Sequence, residues 1–416
     1  MTPSRFSIDR RRWLAFAVLS TIARHSRAAA STGLTWKARL LPSSTPLRQI
    51  RAGPDGTLLA VGADGGLWSY ATPTSVRKIA DGIDSVTPVA SGYGRIAARS
   101  NDGGLYVRAE GRSWSSPGVG LAANAGLLNL PFAIIGVVTA GRGFRVVRLE
   151  TIEGRWSESD RSDEDAMPDA RPILAALDRP PSESDPGEVV VLAGPDEARY
   201  QHGVLGDRIE ATRVLWLDRH SLRTLRELAL PAPFVFEDIA PRVVITEHGV
   251  ALLTVRSGGS GTRLALVASD RSDAERLRVI GLGDPLSGPH RWLAPTTDGH
   301  RLMAIHTPHI GGVLHEYRVD GERLVPTTLI DDVANHRIGT RELDLAVWRG
   351  TTLVVPSQDG RRMRVFEGTQ RWTERASIDL PSRVVMTTVL GDPASIAAPF
   401  AALLDDGTAY RVERSA

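Results

Sequence analysis

The sequence predicts an all-β fold, a β-propeller of eight blades with seven as the alternative count, whose ring is closed by strands from the two ends of the chain. Three observations predict it. An Asp-Gly step between two strand-like runs recurs at Asp64-Gly65, Asp102-Gly103, Asp359-Gly360 and Asp406-Gly407. Asp-Gly between such runs is the strongest short hairpin signal, because both residues tolerate the positive φ of a two-residue turn. One strand later, AEGRSWSS, IEGRWSES and FEGTQRWTER share Glu-Gly, a short gap, and Trp114, Trp156 or Trp372 followed by Ser or Thr. Two hairpin signals in a fixed order, repeated at about forty to fifty-five residues, have the period of a propeller blade. The third observation is that the two ends complement each other, as set out below.

The first 30 residues read as an export signal. Arg10, Arg11 and Arg12 precede an apolar run from Trp13 to Ala23, and the small residues Ala28-Ala29-Ala30 follow. The run is shorter than the roughly 20 residues that span a bilayer, so no helical span is expected once the leader is removed. Arg10-Arg11-x-Trp13-Leu14 resembles the twin-arginine signal, with Asp9 where that pattern has Ser or Thr. The resemblance implies export of a folded protein, cleavage at the Ala28-x-Ala30 site, and a periplasmic or secreted location. Residues 31–416 are then a single propeller domain.

Charge and composition narrow the classes. The net charge of +2 contains +5 from the leader, which holds six Arg and one Asp, so the remaining chain carries −3. No basic run interleaved with stacking aromatics follows, which argues against a nucleic-acid partner. The chain has no cysteine, so disulfides, thiolate metal sites and a cysteine nucleophile are all excluded. The 386 residues after the leader must hold together by packing, as a monomer.

The repeat signals divide the chain near 48–83, 84–121, 122–167, 168–231, 232–286, 287–333 and 334–383, with a remainder at 384–416. A large side chain stands three residues after each Asp-Gly glycine, at Trp68, Tyr106, Met363 and Tyr410, where a core-facing residue of the next strand belongs. Between 168 and 231, ATRVLWLDRHSLRTLRELALP would pass in isolation for a helix. The surrounding repeat favours two strands joined at the Asp, as in HEYRVDGERLVP. The acidic stretches 157–170 and 178–188 read as surface loops. The remainder lacks its last strand, and GLTWKARLL at 33–41 is an unpartnered tryptophan strand. Joining them completes a blade and removes the open sheet edge.

No nucleophile elbow, phosphate loop or His-Glu-x-x-His pair occurs. The acidic run Asp160, Asp163, Glu164 and Asp165 lacks the spacing of a calcium loop, and reads as solvated charge. Five of the ten histidines fall between His290 and His315. A hairpin about Ile310-Gly311 would place His306 opposite His315 on one face with His309 at the turn, a candidate site for a divalent metal such as zinc or copper. DGGLY followed by EGRSW resembles the tectonin-type lectin propellers, which implies a glycan ligand stacked on the tryptophans, although packing between blades explains the same residues. The expected function is a ligand-binding or interaction module of the cell envelope, with carbohydrate or an envelope protein as partner. The alternatives are a propeller enzyme, quinoprotein dehydrogenase-like or lactonase-like, with a loop-built metal or cofactor site, and a structural scaffold.

Overall fold

The structure, a computed structural model, describes residues 35–177, 185–247, 249–270, 273, 276–369 and 371–415. Arg10, Arg11, Ala28 and Ala30, of the expected export signal, lie outside the described residues, as does most of the acidic stretch 178–188.

The described strands group into antiparallel four-stranded meanders at 47–80, 90–116, 128–161, 173–229, 242–283, 293–330, 347–379 and, across the chain ends, 384–415 with 35–40. In chain order these are units one to eight. Position within the meander decides composition. Second strands, such as Leu58–Gly62 (LLAVG), Thr352–Pro356 (TLVVP) and Phe400–Leu404 (FAALL), are buried throughout. They are covered on both faces by neighbouring units, so they read as continuous apolar runs instead of alternating ones. Fourth strands, such as Val76–Ala80 (VRKIA) and Thr373–Asp379 (TERASID), form the rim and are mostly exposed. Charged side chains on such edges discourage pairing with another sheet. The core is distributed between units: Leu59, Val61 and Leu67 of unit one meet Val89, Ile96 and Tyr106 of unit two in one apolar cluster.

The seam pairs Thr35–Leu40 with Ala409–Ser415 in an unbroken antiparallel register from Thr35↔Ser415 to Leu40↔Tyr410. Trp36 packs against Phe400 at 6.3 Å between ring centres, and the Arg349 guanidinium of unit seven covers its ring at 4.7 Å. Units four and five are joined by the short strand Val235–Phe236, which pairs with both. The outer strands of units five and six meet in parallel over two positions.

The Asp-Gly steps form hairpins of a different geometry from the one expected. Only the glycines take positive φ, 76° at Gly65, 83° at Gly103, 71° at Gly360 and 84° at Gly407. Each loop therefore has three residues, a turn followed by a left-handed glycine. The reason is the Asp side chain, which is used as a cap: Asp64, Asp102, Asp359 and Asp406 each accept from the backbone N–H two residues on, at 2.8–3.0 Å. An Asx turn of this kind fixes Asp without placing it in the left-handed region. The two-residue turn with both φ positive falls instead at the Glu-Gly steps, Glu110-Gly111 and Glu153-Gly154.

The glycine carbonyl of each Asp-Gly turn accepts the N–H of a residue leading into the next unit: Ile83 to Gly65, Leu121 to Gly103, Val384 to Gly360 and Leu47 to Gly407, at 2.8–2.9 Å. These turns are thus both hairpin tips and inter-unit clasps. A Cβ on Gly407 would come within 2.6 Å of Pro46, and one on Gly65 within 3.1 Å of the Ile83 carbonyl.

Two further expectations are resolved. ATRVLWLDRHSLRTLRELALP forms strands Glu210–Leu217 and Thr224–Ala229, with Asp218 accepting from the His220 and Ser221 amides at the turn. The acidic stretch 157–170 is not all loop, because residues 157–161 belong to the rim strand Arg155–Arg161. Among its carboxylates, Glu164 lies 3.1 Å from Arg213, and Asp165 bonds Arg145.

Candidate functional site

In an antiparallel meander the turn between second and third strands and the connection to the next unit lie at the same end. All the Asp-Gly tips and inter-unit connections therefore share one face of the ring, called here the loop face. The buried titratable groups concentrate on it.

The three candidate metal histidines do not converge. The register pairs His306 with Val313 and Ala304 with His315, so His306 and His315 are diagonal neighbours instead of opposite each other. Their rings stack at 3.8 Å, and His306 Nε2 lies 2.5 Å from the Tyr317 hydroxyl. His309 turns elsewhere, with its Nε2 2.9 Å from His336 Nδ1 and its ring parallel to Trp292. Among the described residues no three His, Asp or Glu side chains are grouped to hold a metal ion.

What the fold assembles is a cluster drawn from several connections. His336, in the connection to unit seven, tilts against Trp292 at 4.6 Å. Trp292 Nε1 donates to the Glu237 carbonyl at 3.3 Å, and the Glu237 carboxylate lies 2.5 Å from His202 Nδ1. His202 meets His290 edge-on, and His290 stacks on Tyr200. Burial first, and a neighbouring imidazole second, depress His309 to about 4 and His336 to about 3, so both are neutral at neutral pH. Ser257 donates to Glu237 and not to an imidazole, so the group is no nucleophile and base pair. Local sequence held no signal for this cluster, because His202, Glu237 and His336 stand in different units.

Glu210, 2% exposed, sits beside this group. Burial, reinforced by the Glu237 carboxylate, pushes its pKa up to about 11, so it is an uncharged acid at neutral pH. The folded state keeps a proton that the unfolded chain releases above about pH 4.3. This group's contribution to stability is therefore full below that pH and declines as pH rises. Glu210→Gln has no proton to lose, so the variant gains stability relative to the parent between pH 5 and pH 8. Urea unfolding of both proteins at the two pH values measures this, and a constant difference would count against an uncharged Glu210.

The connection 331–346 reaches units that are not its neighbours. Gly339 N–H donates to the Val204 carbonyl of unit four at 2.8 Å. Arg341 pairs with Asp169 and Asp207, at 2.8 and 2.5 Å, and Glu342 pairs with Arg51 of unit one at 2.6 Å. The segment bridges the middle of the loop face and ties three units together. On one side of it lies a cavity of about 500 Å³ lined by Pro308, His309, Ile338, Gln358, Arg362 and Val384 among others. On the other lies one of about 490 Å³, whose lining includes Arg48, Arg51, Arg171 and Arg341 beside Glu342.

The blade tryptophans are engaged in packing. Trp156 is buried beneath the Arg95 guanidinium of the preceding unit, at 5.6 Å, and Trp372 lies under Arg301 at 4.9 Å. Trp114 packs on the cluster between units two and three.

No protein-family model matches the chain, and no curated protein matches it. Among solved structures, BamB from Moraxella catarrhalis is similar with a TM-score of 0.51 at 14% identity, over 92% of this chain and 98% of that one. The computationally designed Ika8 protein gives 0.57 at 11%, over 90% and 98%. The β-propeller domain of Cps50 (Swd1) from Myceliophteria thermophila gives 0.45 at 10%, over 91% and 99%. Identities this low speak to fold alone: the chain is a β-propeller.

Proposed function

We propose that this β-propeller is an exported interaction module of the cell envelope, periplasmic or secreted, which acts as a monomer and engages an envelope protein through its loop face. The observation that carries the reading is the cavity of about 500 Å³ on that face. It is built from the connections and hairpin tips of consecutive units and rimmed by Ile338, which is 61% exposed. Its walls combine apolar residues such as Pro308, Ile338, Leu345 and Val384 with charged ones such as Asp332, Arg337, Arg362 and Arg383, a mixture suited to a protein partner. The twin-arginine-like leader, with Arg10, Arg11 and the Ala28-x-Ala30 site, supports the location. Among the described residues no helix is long and apolar enough to cross a membrane.

Packing of Trp114, Trp156 and Trp372 between units favours a protein over a stacked glycan as the partner. The test is photo-crosslinking in cells from p-benzoylphenylalanine placed at Ile338, against the same probe at Tyr93, which is 48% exposed in a hairpin on the opposite face. Discrete envelope-protein adducts from position 338 alone support the proposal. Adducts from both positions, or a sugar ligand whose binding is indifferent to the loop face, would overturn it.

A further inference from the structure

The second loop-face cavity has an imbalance that its role as a bridge between units does not explain. Its lining includes Arg48, Arg51, Arg171 and Arg341, against a single carboxylate, Glu342. Arg341 is fully used by Asp169 and Asp207. Arg51 is held by Glu342 at 2.6 Å and by the Ile50 carbonyl at 2.9 Å. Two guanidinium groups are less well satisfied. Arg171 reaches Glu342 only at 3.7 Å, beyond hydrogen-bond distance, with its side chain 19% exposed and its Nε buried without a partner. Arg48, exposed on the same first strand as Arg51, has no ion pair among the described residues.

A buried guanidinium nitrogen without a hydrogen-bond acceptor, such as Arg171 Nε, is costly, and native structures seldom leave one so without a reason. Burial lowers the Arg171 pKa, which reflects the same cost. Asn124, also on the lining, adds a polar side chain to the walls. At about 490 Å³ the space is that of a small molecule. The planar fork of arginine matches the paired oxygens of a carboxylate or phosphate.

We propose that this cavity binds a small oxyanionic molecule, one bearing a carboxylate or phosphate group, with Arg171 and Arg48 as its direct partners and Glu342 holding Arg51 in place. The site is separate from the cavity at Ile338, so its fate and that of the interaction surface are decided by different measurements.

Isothermal titration of the chain from Ser31 with citrate, inorganic phosphate and glucose 6-phosphate, with glucose as the uncharged control, tests it. At least one anion should bind with a dissociation constant below about 1 mM, a range one or two charged contacts can supply. Arg171→Met, which keeps the stem and removes the charge, should weaken that binding about tenfold or more. Arg48→Ala, on an exposed side chain and so harmless to the fold, should weaken it in the same direction. Binding of citrate alone assigns a carboxylate ligand, and binding of the phosphates alone assigns a phosphorylated one. Either supports the proposal. It is overturned if no anion binds the parent more tightly than about 10 mM, or if Arg48→Ala binds as the parent does.

Discussion

A chain beginning at Arg48 should lose its cooperative unfolding transition, or melt far below the chain beginning at Ser31. Removing 31–47 strips the rim strand Thr35–Leu40 from unit eight, with all six of its paired positions. It also uncovers Phe400 and Val412, on which Trp36 and Ala38 pack, and removes Leu41, buried in the cluster between units eight and one. Each such burial is worth about 1.5–3 kcal/mol, and the total rivals the roughly 5–15 kcal/mol that hold a domain folded. Thermal unfolding followed by circular dichroism checks this. A truncated chain that melts cooperatively at the parent temperature would remove the closure argument.

Trp216→Ala should be the costliest single substitution in the apolar core, at about 3–5 kcal/mol. Trp216 is 1% exposed, in the largest buried cluster. Its ring is covered by Arg226 at 4.2 Å, and Arg226 in turn donates to Ser269 of unit five. The truncation therefore leaves a cavity and also removes the aromatic face on which the cation linking two units rests. The indole Nε1 has no hydrogen-bond partner, so Trp216→Phe should lose much less. Urea midpoints of the two variants against the parent decide it, and equal losses would point to strain in place of a cavity.

The repeat was legible because it rests on local chemistry. Asp406-Gly407 and Trp36 each do in three dimensions what their neighbours in sequence announce, a hairpin tip and a rim strand. The detail that failed, positive φ at the aspartates, failed because pattern alone does not say whether an Asp spends its carboxylate capping its own turn. The site was much less legible. His306 and His315 lie on adjacent strands, and their proximity could be read, although the register was offset by two residues. His309 could not be placed, because its partner His336 comes from a connection 27 residues later. Arg51 and Glu342, 291 residues apart, meet only through the ring. Propeller chemistry is written in connections that approach one another across the axis, and periodicity carries no information about which of them meet.

The seam has a further consequence, in time. Thr35 emerges from the ribosome ahead of nearly everything else described here, yet its partner Ser415 is 380 residues downstream. The other units can form their hairpins as they are made, since their strands are adjacent in sequence. Thr35–Leu40 has to wait, and the waiting segment, TWKARL, carries Lys37 and Arg39, charges that discourage premature association. A nascent chain that stops early leaves this strand without a place to dock and unit eight without its rim. Closure of the ring therefore follows the synthesis of Ala409–Ser415, and it is a late event in folding however early Thr35–Leu40 is made.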